Sequence, residues 1–169
     1  MKHHSIKVTA QCAYEGPQGR CKRMTTMTHP YCARHTVSEL GVRVDKSKIK
    51  GAGLGLFAER AFKKGERIVQ YNGEKLSHRE YNERYDSDEM GSYGIELNSR
   101  WVLDAAKTSS GVARYVCDHH GSKTGQNCEY VSDAGKIWVL ALRDIKPGEE
   151  LYSDYGDEMH RALGLKKKA

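Results

Sequence analysis

No stretch of about 18 apolar residues occurs in the 169-residue chain, which argues against a membrane-spanning helix. The opening residues, Met1-Lys2-His3-His4-Ser5, lack the apolar core of a secretory signal. Cysteines are few and odd in number, namely Cys12, Cys21, Cys32, Cys117 and Cys128. Without a signal, that count argues against a secreted disulfide framework and for a reducing, intracellular compartment. Repeats and low-complexity tracts are absent, and so are the dinucleotide-binding and P-loop fingerprints. Phenylalanine is scarce, two residues against ten tyrosines, so the interior must find partners for buried hydroxyls.

What is present is charge, unevenly spread. Residues 1–50 carry ten Lys or Arg against three Asp or Glu, a net +7, whereas residues 51–165 sum to −4. A basic head therefore precedes a mildly acidic body, with Lys166, Lys167 and Lys168 as a basic tail. The head is a candidate for nucleic-acid contact and the body for a basic substrate, although a merely solvated surface gives the same statistics. The acidic run Asp86-Ser87-Asp88-Glu89 is open to the same two readings.

The first three cysteines fall at Cys12-x8-Cys21-x10-Cys32-x2-His35. Three thiolates and an imidazole complete a tetrahedral zinc shell, with the close Cys32/His35 pair on one turn. Residues 8–36 have few large aliphatic side chains, so a metal would provide the stabilisation that a core cannot. His29 competes for the fourth place. This segment resembles a small C3H zinc module of chromatin-associated proteins, which implies zinc and only weakly implies DNA contact.

Beyond a connector at 37–50, short apolar runs alternate with glycine turns. Gly41-Val42-Arg43-Val44 enters a strand, and Arg67–Tyr71 reads as another, closed by Asn72-Gly73. Ser77-x-x-Glu80 has capping-box spacing and opens a short helix through Tyr85. Tyr93–Leu97 and Arg100–Leu103 flank a turn, Ile137–Leu142 suits a buried strand, and Asp157–Leu163 suits a terminal helix. The fold class expected is mostly β, a β-rich α+β domain.

Four blocks follow in order: Lys50-Gly51-Ala52-Gly53-Leu54-Gly55-Leu56-Phe57-Ala58, Gly65 to Gly73, Ala113-Arg114-Tyr115-Val116 with Asn127-Cys128-Glu129-Tyr130, and Gly148 to Gly156 ending Asp154-Tyr155-Gly156. A glycine run alone is a weak signal; the ordered series is a strong one. The series resembles the SET domain of protein-lysine methyltransferases over residues 43–157. The resemblance implies small β-sheets around a knot-like crossing, a domain of about residues 37–157, S-adenosylmethionine as methyl donor, and a narrow channel for the lysine of a basic protein such as a histone. Residues 158–169 would then cover that channel. The nucleus is the expected location if the chain is eukaryotic or viral.

The resemblance also assigns residues. Gly53, Leu54 and Gly55 form the donor-binding turn, Tyr93 and Arg114 line the donor site, Tyr71 and Tyr130 line the lysine channel, and Tyr155 is the catalytic tyrosine. Ser153 stands where the family usually has tyrosine or phenylalanine, and bulk at that position affects how many methyls are added. A mono- or dimethyltransferase is expected, with mono favoured.

Two departures stand out. The family's Asn-His-Ser is replaced by Cys117-Asp118-His119-His120. Ungapped, Cys117 takes the asparagine place; shifted by one, Asp118 and His119 replace Asn-His, an alignment that keeps a histidine and an acceptor for the donor's ammonium. No cysteine follows Cys128, so the zinc-bound C-terminal lid of many members is missing and Cys128 is expected to be a free thiol. The altered segment leaves a second reading open, a non-enzymatic zinc and nucleic-acid binding chromatin protein with a degenerate SET body.

Overall fold

A computed structural model describes residues 5–85, 91–162 and 164. The acidic run at 86–89, Leu163 and the lysine tail lie outside the described residues. Among those described, no helix is long and apolar enough to cross a membrane.

The N-terminal segment is made of very short strands. β1 (Ala10–Gln11) pairs antiparallel with β4 (Met24–Thr25), and β2 (Glu15–Gly16) pairs with β3 (Gly19–Arg20). Helix α1 (Ala33–Leu40) follows and ends on Gly41, whose left-handed backbone (φ 67°) places its N–H on Val37 O. This segment adds only Cys12 and Cys32 to the buried hydrophobic side chains, as its composition predicts.

The body is a set of small antiparallel sheets. β5 (Val42–Lys46) pairs with β6 (Leu54–Ala58) across the glycine-rich turn. β7 (Arg67–Tyr71), β12 (Cys128–Asp133) and β13 (Lys136–Ala141) form a sheet in the order β12-β13-β7. β8 (Glu74–Ser77), β9 (Gly94–Asn98) and β10 (Trp101–Asp104) form another, with β10 central. Helix α2 (His78–Arg84) opens on the expected capping box, with Ser77 accepting from Glu80 N and Glu80 returning a bond to Ser77 N. β13 is half buried, not fully buried: Ile137, Val139 and Ala141 face the core while Trp138 and Leu140 alternate outward. The outward Trp138 ring is covered by the Arg67 guanidinium at 5.2 Å, so an apolar residue persists on a solvent-facing position.

The chain crosses itself where β11 (Cys117–Asp118) pairs in parallel with β14 (Tyr152–Ser153). Asn127, fully buried, clamps the crossing. Its side chain donates to Glu150 O (2.8 Å) and accepts from Tyr152 N (2.8 Å), and its own N–H reaches Tyr152 O (3.0 Å). Two 3-10 turns, Thr108–Ser110 and Val112–Tyr115, lead into the crossing. Helix α3 (Gly156–Ala162) leaves it.

Candidate active site and metal centre

Beside the crossing lies a cavity of about 560 Å³, a size ordinary for a small-molecule site. Its wall includes Gly53, Leu54, Tyr93, Arg114, Asp118 and Tyr155 of the residues assigned from sequence, together with Cys117, His120 and Met159. Gly53 has φ 78°, and a β-carbon there would meet nothing within 4 Å. The backbone is thus open on that side, as an approaching ligand requires.

Gly55 and His119 are not on this wall. A β-carbon on Gly55 would lie 2.2 Å from Glu150 Oε1, so that glycine is needed by a neighbouring carboxylate and not by a ligand. His119 instead turns back onto β14: its N–H donates to Ser153 O (2.8 Å) and its ring Nδ1 lies 3.3 Å from the same oxygen. The one-residue shift that retained His119 therefore brings Asp118 to the cavity but not the histidine. His120 is the imidazole on the wall, and Cys117, the ungapped alternative, lies there too.

Arg114 is buried and almost saturated. Nε donates to Ala105 O (2.8 Å), Nη2 to Ala106 O (3.1 Å) and Ser5 Oγ (3.0 Å), and Nη1 to the Tyr115 hydroxyl (3.2 Å). Four of its five N–H groups are spent on the protein, and the guanidinium stacks 4.1 Å from the Tyr93 ring centroid. It frames the cavity with most of its donors already engaged by the protein.

Tyr155 joins this cavity to a tyrosine cluster. Its hydroxyl donates to Val116 O (2.6 Å), Tyr71 to Tyr93 O (2.6 Å) and Tyr130 to Ala113 O (3.3 Å). The Tyr71 and Tyr130 rings meet edge to face at 5.3 Å. Burial, then the proximity of Tyr155, pushes the Tyr71 and Tyr130 phenols well above their ordinary value. Burial likewise raises Tyr155, with the nearby Cys117 thiol and Asp118 carboxylate adding to it. All three are neutral hydroxyls at physiological pH. Ser153 Oγ is buried and makes no hydrogen bond of ordinary geometry among the described residues, though it lies near enough to the Tyr130 hydroxyl to favour that phenol's ionised form.

Residues 53–156 match the SET domain family. The chain belongs to that family. It is 33% identical over 126 residues to the histone-lysine N-methyltransferase EZH2 of Chaetomium thermophilum, covering 69% of this chain and 8% of that protein. It is 36% identical over 126 residues to the N-lysine methyltransferase KMT5A-A of Danio rerio, covering 68% of this chain and 36% of the relative. Among solved structures, an active polycomb repressive complex 2 in the stimulated state aligns with TM-score 0.58 and 31% identity, over 69% of this chain and 15% of that one. An autoinhibited form of such a complex, bound to S-adenosylmethionine, aligns at 0.57 with 30% identity, over 72% and 17%. The chain thus spans well under half the length of these relatives.

Within the SET domain, the replaced Asn-His segment has become a carboxylate hub. Asp118 Oδ2 accepts from Tyr155 N (2.8 Å) and lies 2.7 Å from His160 Nε2, while Oδ1 accepts from His120 N (2.9 Å) and lies 2.6 Å from His120 Nδ1. Burial alone would raise this carboxyl. The bonds from His120 N, His160, Tyr155 N and the His120 ring outweigh it and hold Asp118 below its ordinary value. His160 belongs to α3, and Met159 beside it lines the cavity. The described part of the C-terminal segment is therefore held beside the cavity by a histidine–carboxylate clasp. Among the described residues Cys128 joins no group of metal-ligand side chains; it is buried, 3.3 Å from Tyr152 O, and burial drives its thiol far up.

In the N-terminal segment, Cys12, Cys21, Cys32 and His35 bring their donor atoms within 4.8 Å of one another. His35 Nδ1 is 3.4 Å from Cys12 Sγ and 3.5 Å from Cys32 Sγ. Those separations match the edge of a tetrahedron with zinc–sulfur bonds of about 2.3 Å and zinc–nitrogen bonds of about 2.0 Å, so the residues fit the ion. Tyr14 stacks on the His35 ring at 3.9 Å and fixes its plane. His29 is elsewhere: it is buried with Nε2 2.6 Å from Val8 O. Metal analysis of the purified protein should find about one zinc per chain, lost in Cys32→Ala. A metal-free and equally stable parent would defeat the assignment.

No local motif points to Met27, Ser5 or His160 as site residues, because their partners Tyr115, Arg114 and Asp118 stand tens of residues away.

Proposed function

We propose that this protein is an S-adenosylmethionine-dependent protein-lysine N-methyltransferase acting on a histone or another basic protein tail, with the nucleus as its place of work. The observation that carries the reading is the position of Tyr155, which lines the ligand-sized cavity and is near enough to the Tyr71–Tyr130 pair to raise both phenols. Relatives named as histone-lysine and N-lysine methyltransferases support the reaction, and the donor named in a similar structure supports the cofactor.

S-adenosylmethionine would supply an electrophilic methyl on a positive sulfonium. Gly53 and Leu54 would offer open backbone to it, Tyr93 and Arg114 a framed wall, and Asp118, its oxygens engaged by His120, His160 and Tyr155, a negative charge beside it. The protein's task is then to deliver a neutral lysine in line. Free lysine has a pKa of about 10.4, and transfer into a tyrosine-lined channel beside a cation favours the uncharged amine. Tyr71, Tyr130 and Tyr155 are held by main-chain carbonyls, so their hydroxyls are pre-positioned and none is needed as a base. The exposed Lys22, Arg23 and Arg34 of the zinc segment would add attraction for nucleosomal DNA.

The test is calorimetric binding of S-adenosylmethionine followed by radiolabel transfer to core histones with site mapping. Binding and transfer to lysine are expected. A chain that binds no donor supports the alternative, a zinc and nucleic-acid binding protein with a degenerate body.

Product number follows from Ser153 and Tyr130. A buried, unpartnered hydroxyl is a place for a water, and the Tyr130 hydroxyl beside it occupies volume that further methyls would need. Mass spectrometry should show mainly monomethyl- and dimethyl-lysine from the parent and a shift to higher states in Tyr130→Phe. Mainly trimethyl-lysine from the parent would refute this account.

A further inference from the structure

We propose that the N-terminal cysteine–histidine segment is a working arm of the methyl-donor site: Ser5 and Met27 complete the cavity wall, and metal ligation holds them there. The inference rests on the reading of that cavity as the donor site.

Ser5 and Met27 both line the cavity, opposite in sequence to every family motif. Ser5 Oγ accepts from Arg114 Nη2 at 3.0 Å, and the Tyr115 hydroxyl lies 3.9 Å from Met27 Sδ. These contacts reach the pair of residues, Arg114 and Tyr115, that frames the wall. They are not loose. Ile6 bridges in parallel to Lys107, its N–H donates to Ala106 O (2.8 Å), and its carbonyl accepts from Thr108 N (2.8 Å). Val8 N then donates to Thr108 Oγ1 (2.8 Å), a hydroxyl with no exposure. Residues 5–8 therefore behave as an added edge to the SET domain, not as a linker.

Metal ligation extends this order to Met27. The loop carrying it runs from β4 to Cys32. Thr28 Oγ1 donates to Tyr31 O (2.7 Å), Thr36 Oγ1 donates to Thr28 O (3.2 Å), and Cys32 N donates to Cys12 Sγ (3.1 Å). Both cysteines in that last link are zinc-ligand candidates. His29, two residues from Met27, ties the loop to Val8 O at 2.6 Å and so to the segment that carries Ser5. With few apolar residues behind it, this loop has the metal as its main source of order. Removing the ion should release Met27 and, through His29, loosen the 5–8 edge, which keeps its own bonds to Ala106 and Thr108, opening the wall to solvent on the Met27 side.

The experiment is calorimetric titration of the full chain with S-adenosylmethionine, with zinc content measured in each sample. Met27→Ala should raise Kd about fivefold, the loss expected from one half-buried apolar contact of about 1 kcal/mol. Ser5→Ala should raise it by a smaller factor, and zinc-stripped protein by about tenfold or more. Met24→Ala, in the same segment but 61% exposed and off the wall, should leave Kd unchanged. An unchanged Kd in Met27→Ala, in Ser5→Ala and in folded metal-free protein overturns the inference while leaving the donor reading intact. A parent chain that binds no S-adenosylmethionine overturns both.

Discussion

Replacing Tyr155 with phenylalanine should lower kcat for lysine methylation by about 100-fold or more, while donor affinity changes by no more than about twofold. Phenylalanine keeps the ring that lines the cavity and removes only the hydroxyl, which donates to Val116 O at 2.6 Å. That bond fixes where the oxygen can sit, so its loss removes a pre-positioned dipole at the point where the methyl is transferred. The hydroxyl does not act as a base. Burial keeps its pKa far above the ordinary phenol value, so it stays protonated across any working pH. The substrate amine supplies the pH dependence instead. Its neutral fraction grows about tenfold per pH unit below about 10.4, so kcat/KM should climb from pH 7 toward pH 9 and Tyr155 should impose no alkaline fall in that range. A Tyr155→Phe enzyme with unchanged kcat, or a parent whose rate falls between pH 8 and 9, would contradict this assignment.

The second large effect concerns stability. Gly55→Ala should destabilise the fold by about 3 kcal/mol or more, a Tm loss of roughly 6–12 °C for a domain of this size. The added β-carbon would fall 2.2 Å from Glu150 Oε1 and 3.3 Å from Ser47 Cα. Glu150 cannot step aside without loss, because its buried carboxylate accepts from Ser47 Oγ (2.6 Å), Lys48 N (2.8 Å) and the Tyr152 hydroxyl (2.7 Å). This clamp ties the start of the glycine turn to the strand that leads to Tyr155, across about a hundred residues of chain. Glu150→Ala should itself cost about 3–5 kcal/mol by stranding those donors. It also makes room for the methyl, so the double variant should be markedly less destabilised than the sum of the two singles. Thermal or urea unfolding of the four proteins decides the matter; additive losses would mean that the clash is not the cause.

Gly55 also shows how far a motif can be read. The pattern Gly53-Leu54-Gly55 identifies the turn correctly, but its two glycines serve different masters. Gly53 is open toward the cavity at φ 78°, whereas Gly55 yields space to a carboxylate. The Asn-His replacement has the same moral. Alignment favoured Asp118 with His119, and the pairing of β11 with β14 turned His119 onto Ser153 O, leaving His120 and Cys117 on the wall.

By itself the sequence determined the family, the β-rich class, five of the longer strands with some of their turns, the capping box, and the grouping of the tyrosines and of the cysteine–histidine set. These are written locally, in alternation, turn chemistry and short spacings, and they survive without knowledge of neighbours. Only the tertiary structure decided what each group touches. It gave Gly55 to Glu150, made Asp118 a hub for His120, His160 and Tyr155, spent four of Arg114's donors on the protein, and brought Ser5 and Met27 to the cavity. The reason is physical. The contacts of Gly55 with Glu150, Asp118 with His160, Ser5 with Arg114 and Met27 with Tyr115 join residues 42 to 109 positions apart, and which side chain faces the cavity at the crossing depends on the register of two-residue strands. A slip of one position reverses that facing, and no periodicity in so short a strand can report it.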